Sequence, residues 1–417
     1  MRGKLLTLLS LLITAGVYGQ GFQVNLAGQQ QIGMGHTGTG LAQDGAAIFF
    51  NPGAVAQLPD NYVQGGISPL FFKSAFQGTG SNVTYHNSNE VATPFSAYAI
   101  WGPKDAIWKA GIGVYTPFGG LVNWGNNWQG KYALESLDLK AIFFQPTLSV
   151  RLGKYISVGG GFVFSQGSVN LKRALPLANS AGDDGQAELK GHGHGYGWNA
   201  GIFLDTHTGL TAGVSYKSKA TTTINGGDAI FTVPGAVQAN FPQPNSFSAS
   251  LPLPATTSVG LGYKINSQWL VAVDANFTNW SVFKSLSFDY ANNTAVLQDT
   301  NSPRNYKNSY SLRGGVQYTP IFTEGSKKYN SKWAIRAGGG YASSAPADGY
   351  VTPEVPDANR IYFTGGLGYK ITRNFNVDVS FEYEYLKPRT QTNIETQLSG
   401  TYKTEVYIPG ISIAYHW

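Results

Sequence analysis

The sequence predicts an all-β fold, a transmembrane antiparallel β-barrel of about 14 strands, and three observations predict it. Charged residues make up 12% of the 417 residues, roughly half the share of a soluble domain, while 24 Tyr, 23 Phe, 9 Trp and 53 Gly are present. Segments that alternate apolar and polar residues recur from about residue 61 to the end. The connections between them alternate short and long, as in a barrel whose two ends face different compartments.

In chain order, the first element is a signal peptide. Arg2 and Lys4 form a positive start, Leu5 to Thr14 an apolar stretch, and Val17 and Gly19 occupy the small-residue cleavage positions. Cleavage before Gln20 is expected, so residues 1–19 are assigned to a signal peptide. Its apolar core is too short to span a membrane well, and no later run approaches the ~18 apolar residues a membrane helix needs. Residues 20–60 do not alternate. They are rich in Gly, Ala and Gln and hold a turn-like Asn51-Pro52-Gly53. A barrel of this size lies between eight-stranded ones filled by side chains and open porins of 16–18 strands, so 20–60 is expected to plug the lumen as an N-terminal hatch.

Residues 61–417 are assigned to the barrel. The expected strands are 61–72, 93–101, 106–116, 139–151, 155–171, 193–205, 209–221, 255–265, 268–280, 307–319, 331–343, 360–371, 374–386 and 403–417. In 374–386, Phe375, Val377, Val379, Phe381, Tyr383 and Tyr385 share one face and Asn376, Asp378, Ser380, Glu382 and Glu384 the other. Trp269, Val271, Val273 and Phe277 oppose Asp274, Asn276 and Thr278 in the same way. Tight turns are expected at 102–105, 153–154, 206–208, 266–267 and 372–373, with 320–330 the exception. Long loops are expected at 73–92, 117–138, 172–192, 222–254, 281–306, 344–359 and 387–402. A soluble sandwich would also alternate, but it has no reason to gather its long loops at one end.

Composition and motifs exclude several classes. Cysteine is absent, which removes disulfides, thiolate metal sites and cysteine nucleophiles. Net charge is +6, or +4 without Arg2 and Lys4, and no basic run supports nucleic-acid binding. Gly33-Met34-Gly35-His36-Thr37-Gly38 satisfies G-x-G-x-x-G without a preceding βαβ strand, and 125–131 approaches a phosphate loop but has Tyr132 where Ser or Thr is needed. His192 and His194 could share a metal, but no third ligand is evident and a metal-free flexible loop is favoured. No cofactor is expected. An enzyme in the barrel wall, an aqueous porin and an adhesin are the alternatives to a transporter.

Several blocks resemble the FadL/TodX family of outer-membrane transporters. Gly33-Met34-Gly35-His36-Thr37-Gly38-Thr39-Gly40, followed by Asp44 to Ala56, is similar to that family's hatch, whose Asn-Pro-Ala is matched at Asn51 and Pro52 but replaced by Gly at 53. Thr116-Pro117-Phe118-Gly119 with Trp124 and Trp128 looks like the segment after the family's third strand. Asp274 to Phe283 and Pro356 to Arg360, with 365–369 beyond, resemble two further blocks. The resemblance implies a fourteen-stranded outer-membrane barrel of a Gram-negative cell that takes up hydrophobic molecules, long-chain fatty acids first and aromatic hydrocarbons second. It implies capture in extracellular loops, gating by a hatch that includes Asn51, Pro52 and Gly53, and lateral release at a kinked third strand, where Gly111 and Gly113 would ease irregularity.

Phe118, Leu121, Trp124 and Trp128 are candidate ligand contacts beyond that strand. Phe231, Phe241 and Phe247 are candidates for an apolar capture surface in 222–254. Arg313 and Arg336 fall mid-strand on the lumen face. Each could anchor a fatty-acid carboxylate or pair with Asp274, Asp378, Glu382 or Glu384, and pairing is favoured. Expected partners are the hydrophobic ligand, outer-membrane lipid and lipopolysaccharide, with the protein monomeric.

Overall fold

The structure, a computed structural model, describes residues 21–324 and 327–417; the expected signal peptide, 1–19, lies outside them. The alternating segments form strands that pair antiparallel with their sequence neighbours. They are β1 (Tyr62–Ile67 and Leu70–Gly78), β2 (Val91–Ala92 and Phe95–Trp101), β3 (Trp108–Asn123), β4 (Ser136–Arg151), β5 (Ile156–Leu175), β6 (Gly185–Asp205) and β7 (Leu210–Lys217 and Ala220–Thr232). The second half comprises β8 (Asn245–Leu253 and Thr256–Lys264), β9 (Trp269–Thr278 and Ser285–Tyr290), β10 (Thr300–Pro303 and Ser309–Tyr318), β11 (Trp333–Ala342), β12 (Arg360–Lys370), β13 (Phe375–Thr392) and β14 (Ser399–His416). The last strand pairs with the first, Tyr62 opposite His416 and Phe71 opposite Tyr407, which closes a barrel of 14 strands. Closure leaves no strand of the ring as a free edge strand, the arrangement that lets a sheet cross lipid.

Strand faces follow the period of two. Val273, Phe277, Trp333, Ile335, Phe381, Ile411 and Ile413 are exposed on the outside, whereas Asp274, Asn276, Arg336, Asp378 and Glu382 are buried inside. At the short-turn end the outward aromatics pair across strands: Trp101 with Trp108, Trp269 with Tyr318 at 4.6 Å, and Trp333 with Tyr369 at 4.5 Å. A second row, with Tyr196 and Trp198, lies farther up the strands. Rings with an apolar body and a polar edge settle at both borders of the hydrocarbon layer.

Toward the other end the strands run past the expected boundaries. β3 continues to Asn123, β6 begins at Gly185, β7 continues to Thr232 and β8 begins at Asn245, so much of 117–138, 172–192 and 222–254 is strand rather than loop. His192 and His194 therefore lie in β6, exposed on its outer face, and not in a flexible loop. The long connection at 320–330 holds a two-stranded hairpin, Ile321–Glu324 with Lys327–Asn330.

Residues 21–58 lie inside the ring. They form two short helices, α1 (Gln29–Gly33) and α2 (Ala47–Phe50), and a 3-10 turn at Pro52–Gln57. Helices this short do not hold themselves together; the wall holds them. Asp274 of β9 accepts from the amides of Gly38 and Thr39, both at 2.9 Å. His36 meets Glu382 of β13 at 2.8 Å. Gln145 of β4 donates to the Ile48 carbonyl at 2.9 Å, and Ser149 and Ser157 both donate to the Gly53 carbonyl. Inward polar side chains thus satisfy backbone groups of a segment that has little regular structure of its own.

Candidate ligand site

The wall is irregular at β3, where the main cavity reaches it. Lower β3 pairs with β2 up to Tyr115 opposite Ser96. On its other side, the register of β3 against β4 shifts between Tyr115 and Phe118. Pro117 in that step has no N–H to give to a ladder. Above it, Phe118–Asn123 pairs with β4 alone, while Val91 and Ala92 of β2 pair with β1 alone. The Ser88 amide, bonded to the Asn123 carbonyl at 2.7 Å, marks the upper limit of this window. The N-terminal segment meets its inner side, with the Val24 amide on the Pro117 carbonyl at 2.8 Å and the Gly119 amide on the Phe22 carbonyl at 3.1 Å.

The register shift has a further consequence. Below it the odd residues of β3, such as Gly113 and Tyr115, face the lumen; above it Phe118, Gly120 and Val122 do, opposite the inward Ala141, Leu139 and Leu137. Leu121 and Gly119 therefore face outward beside Asp138 and Lys140. A cavity of about 390 Å³ is lined both by these outward residues and by lumen residues including Phe22, Leu70, Phe72, Val406 and Ile408. Its size is in the range of small-molecule sites.

One part of that cavity is charged. Arg360 of β12 donates to Asp357 at 2.7 Å and to Glu384 at 2.9 Å. Glu382 is matched by His36. Asp357 also accepts from the Gly21 amide at 3.1 Å. Arg313 of β10 differs. It is buried and lines the same cavity, yet among the described residues it makes a single long hydrogen bond of 3.4 Å, to the His36 carbonyl, and its Nε has no acceptor. A cation with unused donors beside an apolar cavity can receive a carboxylate through charge-assisted hydrogen bonds.

The sequence-predicted residues divide. Phe118, Leu121 and Arg313 line the cavity. Arg336 does not: it is buried against Asp378 at 2.6 Å and Gln317 at 2.7 Å, the pairing that the sequence reading favoured. Trp124 and Trp128 stack at 4.8 Å, with Trp124 Nε1 donating to the Pro353 carbonyl, and stand outside the cavity lining. Phe231, Phe241 and Phe247 are buried in a small core with Leu189, Ile224 and Tyr290 between the extended strands, so they offer no open capture surface.

Gly111 and Gly113 are regularly paired on both sides, which corrects the position of the irregularity to Thr116 and Pro117. What these glycines supply is room, since a Cβ at either would come within 3 Å of Ile48 in α2. Asn51 is fully buried; its amide donates to the carbonyls of Thr39 and Ile202, and its oxygen accepts from the Gly53 amide at 2.9 Å. At Gly53 a Cβ would stand 2.7 Å from the Gly201 carbonyl, which explains why glycine replaces alanine there. Sequence reasoning missed Phe22, Leu70, Phe72, Arg360, Val406 and Ile408. The available signal was apolar Val406 and Ile408 on the lumen face of β14, where polar residues are the rule.

A closed barrel with a lipid-facing belt, and an apolar cavity running from its lumen to a break in its wall, defines a membrane transport barrel with an internal route for an apolar molecule. The family model described as outer membrane protein transport protein (OMPP1/FadL/TodX) matches residues 10–417, and the chain belongs to that family. It is 22% identical over 409 residues to a long-chain fatty acid transport protein of Escherichia coli, covering 89% of this chain and 88% of that one. Its fold is similar to the crystal structure of a Pseudomonas aeruginosa FadL homologue, with a TM-score of 0.82, 19% identity, and 95% and 99% of the two chains covered. The Ralstonia pickettii toluene transporter TbuX gives 0.69 at 17% identity, with 93% and 98% covered. The protein is thus an outer-membrane β-barrel of a family that transports hydrophobic compounds, and it is not an enzyme.

Proposed function

We propose that this barrel takes long-chain fatty acids across the outer membrane. A ligand is captured among the extracellular loops and enters the 390 Å³ cavity. Its carboxylate meets Arg313, and it leaves sideways through the window between β2 and β3. Residues 21–58 act as a hatch, with Asn51, Pro52 and Gly53 holding its fold, and a shift of Phe22 to Leu26 widens the exit. The observation that carries this reading is the continuity of the cavity from the incompletely bonded Arg313 to outward-facing Leu121. Such a route keeps an apolar chain out of water throughout, which a water-filled pore does not.

The outward aromatic rows contact membrane lipid. Lys73, over the ring of Tyr407 at 5.1 Å, and exposed Lys403 beside it offer positive charge to lipopolysaccharide. With every strand paired into a closed ring, the protein works as a monomer.

Uptake of labelled oleate, toluene and a small sugar by cells with and without the protein tests the reading. Selective loss of oleate uptake on deletion is the expected result. Selective loss of toluene uptake would move the substrate to aromatic hydrocarbons, and loss of sugar uptake would replace the transporter by an aqueous pore.

A further inference from the structure

Cations in the lumen are costly unless paired, because burial strips their hydration. Arg336 meets Asp378, Arg360 meets Asp357 and Glu384, and Arg304 meets Glu354. Lys217 departs from this pattern. It ends the first part of β7, just before the break at Ser218 and Lys219, and faces inward with Gly213 and Ser215. Among the described residues no carboxylate lies within ion-pair distance of it; its ammonium rests over the ring of Phe49, 3.3 Å from the centroid. Asp274 lies close enough for its charge to act on Lys217, but it directs one oxygen at the amides of Gly38 and Thr39 and forms no ion pair with Lys217.

Directly across the ladder from Lys217 stands Asn199 of β6. Asn199 is 3% exposed, and among the described residues neither its amide nitrogen nor its oxygen has a hydrogen-bond partner. A buried amide with both groups idle is rare in a native fold. Lys217 and Asn199 line one small chamber of about 30 Å³ with Phe49, Tyr115, Phe118 and Phe143. That is room for a water or a carboxylate head rather than for a chain. Phe118 and Gln23 line both this chamber and the main cavity, so the two spaces share them as a common wall.

We propose that Lys217 and Asn199 form a second head-group subsite, for a carboxylate, across that common wall from Arg313. Lys217 gives the charge and Asn199 Nδ2 a second donor. The head passes from one cation to the other while the chain stays in the apolar cavity. This rests on the transport reading and deepens it, because it assigns the substrate class: a singly charged amphiphile and not a neutral hydrocarbon, which would leave Lys217 and Asn199 as they are, idle and buried.

Equilibrium binding of radiolabelled oleate and methyl oleate to the purified full-length barrel tests it, with Arg313→Met as background so that remaining acid preference reports the second subsite. Arg313→Met is expected to keep a preference for oleate of about tenfold, the scale of a charge-assisted contact. Adding Lys217→Met should erase that preference without altering ester binding, and Lys217→Arg in its place should retain most of it. Asn199→Leu is expected to reduce it in part. Acid preference that survives in Arg313→Met/Lys217→Met, or is already lost in Arg313→Met alone, overturns the proposal. So does an equal loss of acid and ester binding, which would mark Lys217 as structural. If neither oleate nor its ester binds the wild-type barrel, the transport reading falls first, a distinct outcome.

Discussion

Arg313 and Arg336 reach into one lumen from nearby strands, β10 and β11, and differ in what their guanidinium groups touch. Arg336 is closed off by Asp378 and Gln317. Arg336→Met leaves Asp378 buried without its counter-charge, and a loss of about 3–5 kcal/mol is expected, read as a lower midpoint in thermal denaturation of the detergent-solubilised barrel. Arg313→Met removes one long hydrogen bond and, among the described residues, no ion pair, so the midpoint should move little while oleate uptake falls. Equal destabilisation by both substitutions would contradict this separation. Asn51 poses a different question, because its side chain ties three backbone groups together. Asn51→Ala should loosen residues 38–54 by about 1–3 kcal/mol, seen as faster amide exchange there with the strands unchanged. The sequence could place both arginines on the lumen face, since alternation fixes facing. It could not tell them apart, because the partner of each depends on register across strands far apart in the chain.

At the scale of elements, strand ends near the short turns were legible to within a few residues, and those at the opposite end were not. Above the hydrocarbon layer the outer face no longer meets lipid. β6 there presents Lys190, His192 and His194 outward, so the apolar alternation that marks a membrane strand is gone although the ladder continues. β3 was hard for a related reason: its register shift exchanges the inner and outer faces, so no single parity describes the strand. This makes Leu121 diagnostic. Since the chain has no cysteine, Leu121→Cys gives a unique label, and its modification by an apolar maleimide should be slowed by bound oleate. Unchanged labelling at saturating oleate would remove the window from the route. The loop that follows is pinned by Lys131 on Asp184 at 2.6 Å. The Lys131 ammonium, with help from the Tyr132 hydroxyl, holds the Asp184 carboxyl below its usual range. A depressed carboxyl stabilises its pair above the usual carboxylate range and loses that contribution as pH falls through the depressed value. Pepsin cleavage within 124–135 should therefore accelerate from about pH 4 to pH 2, and Asp184→Asn should show no such step.

For the molecule as a whole, the question is what a fourteen-stranded ring does with its interior. The strand count, the even number and the two-ended asymmetry were all readable, because each follows from a period and a spacing that survive without knowledge of contacts. The arrangement of residues 21–58 was not, since that segment has no period and takes its shape from the wall. Its carbonyls and amides are met by Asp274, Gln145, Ser149, Ser157 and Thr211 on four different strands, and glycines of the inner wall let its backbone approach. With the segment in place, Phe22, Ile48, Phe49 and Val55 share one core with lumen residues such as Tyr98, Tyr115 and Phe143. Removing it would expose that apolar surface and leave a ring between filled eight-stranded barrels and open porins in width. A chain lacking 21–57 behind its signal peptide is expected to form a barrel that conducts ions in planar bilayers, whereas the full chain should show little steady conductance. Folding of the shortened chain is checked by β-type circular dichroism and by heat-dependent gel mobility. Equal, low conductance from a correctly folded shortened barrel would mean that the strands and their own side chains close the lumen, and that the N-terminal segment is not its plug.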